Sequence, residues 1–433
     1  MLSLKQSSLP MNSAVTTSIS IDQLCIGLYV HLDVGWMNHA FARNSFLLKN
    51  KQQIASIRQL GIKTIRFEAA RSTCPPLPPP TSIAAPEVEI EQLSADELAM
   101  IRAKKARVDK LIAERVAIAR CEKEYQKAAS TVKNISRNLF SQPQAAFREA
   151  DQLTREMCSS LLAEKDIAIH LMNDKIAGEE TYYHSLNVAV LAMVLAKDLK
   201  LSEQEISAVG IGSLFHDLGK IDIPDRITTK KTELTKAEQN LLQMHCQYGV
   251  NMAEKVGLPK AAVDIIQHHH EYADGSGYPD RLTGDRTPKL AQLVCLINTY
   301  DNHCNQPNPA NSLTPYEALA HMFAHQRKLF DPVMLTTFIR SMGVYPPGTI
   351  VKLSDDTFGM VVSVNPEKPL RPSVLIYDAD VPKEEAIILD LGQETEVSVK
   401  DSLKASQLSP EIYDYLSPRM RMSYYFGGQG KSS

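Results

Sequence analysis

The chain lacks the features that mark several large protein classes. Its longest apolar run, Val188 to Ala196, is nine residues, against the roughly 20 that a membrane-spanning helix needs. The opening residues lack a charged stretch followed by an apolar one, so no secretory leader is expected. The seven cysteines are scattered, odd in number and without a C-x-x-C pair. That argues against a disulfide framework and for reduced thiols in a cytoplasmic protein. Neither charge dominates: 47 Lys and Arg meet 50 Asp and Glu, a formal net charge of −3. Such a balance offers no global attraction for nucleic acid, and no DNA partner is expected. What remains is an ordinary soluble composition, 44% hydrophobic and 22% charged, which excludes wholesale disorder. At about 100–200 residues per domain, a chain of this length holds two to four domains.

Residues 1–20 are polar and read as a loose tail. A small α/β module is expected over 21–70, with strands near Leu24–Val30, Phe46–Leu48 and Ile62–Phe67 and a helix over 51–60. Five prolines in residues 74–80 mark a semi-rigid linker, taken as 71–95. From Ser94 to Met172 there is no glycine, and Ala, Glu, Lys, Arg and Leu dominate. This predicts a helical connector over 96–165. Nine Lys or Arg against four Asp or Glu between Leu98 and Lys127 read as a solvated helix face. Residues 166–345 alternate helical patterns with polar loops and predict an all-helical domain. Short β-branched runs over 346–405 predict a small barrel-like or sandwich β unit, and 406–433 a second tail. The fold class is therefore mainly α, with small β-containing modules at both ends.

Histidine usage carries the chemistry. Five of the twelve histidines fall between His216 and His270. Glu180 and His184 are four residues apart, so on a helix they share a face. His184 also begins an apolar stripe with Val188, Leu191 and Leu195. His216 and Asp217 end another stripe. Adjacent helical residues diverge by about 100°, so one can bind a metal terminally while the other leans across to bridge. Lys220 follows one turn later and suits an anionic substrate. With His245, His269 and His270, five imidazoles and two carboxylates are available, more than one metal needs. Nitrogen and oxygen donors without thiolate suit iron or manganese, with zinc and nickel as alternatives, and disfavour a structural zinc site. Two metals about 3.5–4 Å apart can hold a bridging hydroxide and clamp both the attacking and leaving oxygens of a phosphoryl group. The favoured chemistry is phosphate-ester hydrolysis. His268 is read as structural, and His31, His39, His170, His303, His321 and His325 are left out of the set. The loop DGSGYP, Asp274–Pro279, is either a plain turn or a segment that approaches substrate backbone-first, because glycine permits close contact.

These residues resemble the HD-GYP family, a branch of the HD metal-dependent phosphohydrolases. The resemblance covers about residues 166–345. It rests on E-x-x-x-H (Glu180, His184), H-D-x-x-K (His216, Asp217, Lys220), His245, H-H-E (His269–Glu271) and D-G-x-G-Y-P (Asp274–Pro279). It implies an all-α domain acting as a phosphodiesterase on cyclic-di-GMP, with pGpG and then GMP as products. It also implies two or three divalent metal ions, Glu180 being the position tied to a third. Asp217 and Lys220 would be catalytic, and Lys220, Gly275, Gly277, Tyr278 and Pro279 would meet the substrate. Asn298 stands where the family commonly has an aspartate ligand; Asn coordinates through its carbonyl but brings no charge, and Asp301 lies one turn away to compensate. Gln292 replaces a usual arginine, and no Arg or Lys occurs between Asn298 and Tyr316. Those departures leave two rivals: a cyclic-di-GMP-binding module with little or no turnover, or a hydrolase for another nucleotide such as 3′,3′-cGAMP. Residues 21–150 more weakly resemble a module that precedes some HD-GYP domains. Signalling partners acting through that module, and a homodimer, are compatible with this arrangement.

Overall fold

A computed structural model describes residues 16–34, 39, 41, 44–79, 95–139, 141–163, 167–171, 180–230, 232–306, 308, 311–364, 367–379, 381, 383, 386–394, 396–417, 422 and 424–428. Side chains at 95–111, 113–115, 117, 167, 168, 170, 171, 180, 181, 427 and 428 lie outside the description. The chain divides into two units, 1–112 and 113–433.

The first unit holds β1 (Thr16–Ser20), β2 (Tyr29–His31), β3 (Ser45–Leu47), α1 (Lys51–Gln59) and β4 (Thr64–Glu68) in an antiparallel sheet of order β1-β4-β2-β3. Residues 16–20 were expected in a tail, yet they pair with β4 in register from Thr16↔Glu68 to Ser20↔Thr64. Their alternation is of Thr, Ser and Ile, so only Ile19 signals a buried face. Asn50 caps α1 by accepting from Gln53 N at 2.9 Å, and Ile54 and Ile57 pack it on the sheet. The proline-rich stretch starts along this module: Thr73 N donates to Gly27 O and Leu77 N to Gln23 O.

α2 (Ala95–Asn138) crosses the boundary. Within the second unit its buried stripe is Cys121, Tyr125, Ala128, Val132 and Ile135, spaced four, three, four and three. A mixture of small and large residues makes that stripe hard to see in sequence. α3 (Pro143–Ala163) follows, then β5 (Ile167–Leu171) and α4 (Glu180–Asp198). Leu186 and every residue from Val188 to Ala196 are buried. The nine-residue apolar run is therefore the central helix of the bundle, apolar on all sides rather than along one stripe. α5 (Glu203–Phe215), α10 (Lys289–Cys304) and α12 (Pro332–Met342) pack against it, and α6 (Asp225–Thr228), α7 (Lys236–Gln243), α8 (His245–Val256), α9 (Lys260–His268) and α11 (Pro315–His325) belong to the same unit.

The expected β unit is an antiparallel sheet of order β10-β6-β7-β8-β9, formed by β6 (Ile350–Leu353), β7 (Phe358–Ser363), β8 (Ser373–Ile376), β9 (Ile388–Asp390) and β10 (Val399–Leu403). Residues 406–433 are not simply a tail. They carry α13 (Pro410–Leu416) and β11 (Tyr424–Gly428), and β11 pairs with β5. Tyr424, Tyr425 and Phe426 are buried in the helical core, so aromatic burial anchors this strand.

Candidate metal centre

Helix ends assemble most of the site. His216 follows the last residue of α5, His245 opens α8, and His269 follows α9 with His270 next to it. The last carbonyls of a helix have no intrahelical partner. His216 Nδ1 lies 2.7 Å from Ser213 O, His245 Nδ1 2.6 Å from Leu242 O, and His269 Nδ1 2.9 Å from Ile266 O. In each case Nδ1–H donates to the carbonyl three residues back. That fixes the tautomer and leaves the Nε2 lone pair facing the pocket. His184 sits inside α4, where carbonyls are already used, and donates from Nδ1 to Asp301 Oδ2 on α10 at 2.5 Å.

The Nε2 atoms crowd in pairs, His184 with His216 at 3.2 Å and His245 with His269 at 3.3 Å. Asp217 stands between the pairs. Its Oδ2 is 3.7 Å from His184 Nε2 and 3.4 Å from His216 Nε2, while Oδ1 is 3.5 Å from His245 Nε2 and 3.8 Å from His269 Nε2. Ligand atoms of His184, His216 and Asp217 lie within 4.8 Å of one another, as do those of Asp217, His245, His269 and His270. One carboxylate thus serves both groups. Asp217 Oδ1 and His270 Nε2 are buried without a hydrogen-bond partner, at a desolvation cost of about 1–3 kcal/mol each. Converging lone pairs and orphaned acceptors fit divalent cations.

Electrostatics agree. Burial drives His216 and His270 well below the ordinary imidazole range and His245 down to about 4, so these rings are neutral donors at pH 7. Burial opposes ionisation of Asp217, but the Lys220 ammonium and the surrounding imidazoles outweigh it and hold the carboxyl well below its usual range. Lys220 Nζ lies 2.6 Å from Asp217 Oδ2. His184 differs: burial lowers it, but Asp301 and Asp217 together raise it. Cys246 Sγ lies 3.7 Å from His245 Nε2, yet burial pushes its pKa up and keeps it a neutral thiol.

The side chain of Glu180, the expected third-metal position, lies outside the described residues. Asn298 is buried, and its Oδ1 accepts from Asn302 Nδ2 at 3.0 Å. The α10 side chain joined to the histidines is Asp301. Both its oxygens are taken by protein donors, so it orients His184 rather than replacing the missing carboxylate. Gln292 is spent inside the fold, donating to Gly284 O and Thr287 O.

The DGSGYP loop packs closely on the residues that carry the histidines. A Cβ on Gly277 would lie 2.4 Å from His270 O, 2.5 Å from Tyr272 N and 2.6 Å from Glu271 Cα. The glycine is needed because the loop packs on the backbone that carries the histidines. Tyr278 stacks on His270 with ring centroids 4.5 Å apart, and Tyr278 N donates to His270 O. Glu271 closes the loop by accepting from Asp280 N at 2.6 Å and Leu282 N at 3.0 Å. Tyr278 and Gly277 therefore buttress a candidate ligand, while Gly275 is half-buried and Pro279 exposed. His268 bonds Asp264 O and Asp280 and stays out of the cluster. Asn187, which bonds Asp301, was missed because nothing local distinguishes it.

The HD domain family matches residues 139–334. A domain of unknown function (DUF3391) matches 16–150, and a KOW domain associated with HD domains matches 350–410. The chain is 28% identical over 381 residues to the cyclic di-GMP phosphodiesterase PA4108 of Pseudomonas aeruginosa, covering 87% of this chain and 89% of that protein. It is 28% identical to the cyclic di-GMP phosphodiesterase response regulator RpfG of Xanthomonas campestris pv. campestris, over 51% of this chain and 57% of the relative. With the 3′3′-cGAMP-specific phosphodiesterase 2 of Vibrio cholerae it shares 31% identity, over 40% of this chain and 33% of the relative. The ordered ligand series, the shared carboxylate and these matches lead to one assignment: residues 139–334 form a domain of the HD family, in a chain similar over most of its length to a cyclic di-GMP phosphodiesterase.

Proposed function

We propose that the helical domain, expected over 166–345, hydrolyses a phosphodiester bond of a cyclic dinucleotide, with cyclic-di-GMP as substrate and pGpG, then GMP, as products. The observation that carries this reading is Asp217, whose two oxygens face two separate histidine groups. His184, His216 and Asp217 would hold one divalent metal, and Asp217, His245, His269 and His270 a second. Glu180 would serve a third. Iron or manganese suits these donors best. When bound, the metals supply Lewis-acid polarisation of the phosphoryl group and a water that ionises near neutral pH. The protein's own part is to present imidazoles in fixed tautomers and to keep Asp217 ionised. Lys220, with its side chain 38% exposed, would neutralise charge developing on phosphoryl oxygens.

The likeness to PA4108 across nearly the full length of both chains supports cyclic-di-GMP. Relatives named for 3′3′-cGAMP, together with the missing basic residues between Asn298 and Tyr316, support a hybrid cyclic dinucleotide as the second reading. The test is turnover of both dinucleotides by the purified chain loaded with Fe(II) or Mn(II), followed by chromatography. Cyclic-di-GMP should be consumed and Asp217→Ala should be inactive. Tight binding without turnover under either metal would identify a binding module instead. The first unit would be the regulatory input, receiving a protein partner, and a homodimer would be a compatible assembly.

A further inference from the structure

Asp301 connects the site to a distant part of the chain. Its Oδ2 accepts from His184 Nδ1, and its Oδ1 accepts from Asn187 Nδ2 and Asn305 Nδ2. Neither asparagine stops there. Asn187 Nδ2 also reaches Met422 O at 3.1 Å, and its Oδ1 accepts from Tyr424 N at 2.7 Å. Asn305 Nδ2 donates to Met422 O at 2.9 Å, and its Oδ1 accepts from Met422 N at 2.8 Å. Two amides therefore link one carboxylate to the main chain of Met422 and Tyr424. The same segment runs into β11, whose five residues pair with β5. Tyr424 is fully buried, with its hydroxyl 3.0 Å from the hydroxyl of Tyr300, the neighbour of Asp301 on α10.

His184 needs such an arrangement more than the other imidazoles do. His216, His245 and His269 find their Nδ1 acceptors on carbonyls three residues back, so their orientation is local. His184 lies within a helix and takes its acceptor from α10. It is also the more open ring, with its side chain 17% exposed against 0–1% for those three. A carboxylate that receives an imidazole N–H sets the ring's tautomer and strengthens the opposite nitrogen as a donor. Its own rotation is stopped by Asn187 and Asn305, and theirs by the main chain of Met422 and Tyr424.

We propose that the main chain at Met422 and Tyr424 is a positioning element of the metal centre, acting through Asn187 and Asn305 on Asp301 and through Asp301 on His184. This rests on the reading of His184, His216 and Asp217 as one metal position and Asp217, His245, His269 and His270 as another. Asn187, Asn305 and Asp301 are positioning residues and ligate nothing themselves. Outer partners of metal-bound histidines are typically worth about 10–100-fold in affinity.

The test is Mn(II) binding to the full-length, chelator-treated chain, followed by electron paramagnetic resonance with elemental analysis. Wild type should bind at least two ions, one of them at His184, His216 and Asp217. Asn305→Ala should weaken one ion by about 10–100-fold and leave the other unchanged. His184→Ala should lose that same ion, and adding Asn305→Ala to it should cost nothing more, because both changes act on one position. Asn187→Ser, on a different helix, serves if Asn305→Ala does not fold. Unchanged affinity for both ions, equal weakening of both, or a further loss in the double variant overturns the inference. A wild-type chain that binds a single ion overturns the two-position reading and this inference with it.

Discussion

Gly277→Ala places a methyl group where three backbone atoms already stand. The new Cβ would approach His270 O to 2.4 Å, whereas ordinary contact begins near 3.4 Å, so a gap of about 1 Å must open. No flexible side chain can yield, because Tyr272 N and Glu271 Cα are equally close. Either the loop lifts from His270, breaking the 3.1 Å bond from Tyr278 N to His270 O, or the histidine backbone moves. Overpacking of this kind costs about 1–3 kcal/mol, and the lost hydrogen bond about 1 kcal/mol more. A 1 Å misplacement at a reacting centre costs about 10²-fold in rate. The expected result is a protein that still folds, has a lower melting temperature, and hydrolyses cyclic-di-GMP with kcat/KM reduced about 10²-fold. Gly275→Ala is the control. Gly275 has φ +78°, but its nearest atoms would be Thr283 Cγ2 at 3.4 Å and Arg281 O at 3.6 Å. That variant carries only the left-handed backbone penalty, about 1–2 kcal/mol, and should keep its turnover within a few-fold. If Gly277→Ala matches wild type in metal content and kcat/KM, or if both alanines behave alike, the loop does not buttress His270.

Three other perturbations have defined outcomes. In chelator-treated protein, His245 is held at about 4 against an ordinary 6.5, so the folded state binds fewer protons than the unfolded state between those values. Its contribution, about 3 kcal/mol at roughly 1.4 kcal/mol per tenfold change, is whole above pH 6.5 and drains away as pH falls toward 4. His216 and His270 act in the same sense and His184, which is raised, in the opposite one. Urea midpoints at pH 7.5, 6 and 5 should fall in order, and a flat series contradicts the burial argument. Lys220→Met removes the ammonium 2.6 Å from Asp217 and should lower kcat by about 10²–10³-fold, while elemental analysis shows the metals retained. Glu271→Gln replaces one of two loop acceptors by an NH₂ group facing an N–H. It should destabilise the protein by about 1–3 kcal/mol in thermal melts, and conversion of the neighbouring Asp280 or Leu282 N–H to fast hydrogen exchange would locate the effect.

The divide between what sequence showed and what it hid follows the distance over which each contact acts. Glu180 with His184, His216 with Asp217 and Lys220, and the His269–Glu271 run are read from local spacing. Three of the imidazoles are even oriented locally, each by a carbonyl three residues back. Asp301 was visible as a carboxylate one turn from Asn298, but not as the partner of His184, because that bond spans 117 residues. Asn187 and Tyr424 are 237 residues apart, and no periodicity connects them. Residues 16–20 and 424–428 read as tails since a polar Thr–Ser alternation and a short aromatic stretch ending in glycine carry weak strand signals. Their partners, β4 and β5, supply the stability that the segments lack alone. Gly277 shows the same limit in miniature. A glycine in sequence says that a side chain is excluded, and a substrate is one thing that could exclude it. Here the excluding group is the chain itself, at His270 O, so the conformational freedom that suggested a ligand contact is used to bring a loop against the residues that would hold the metal.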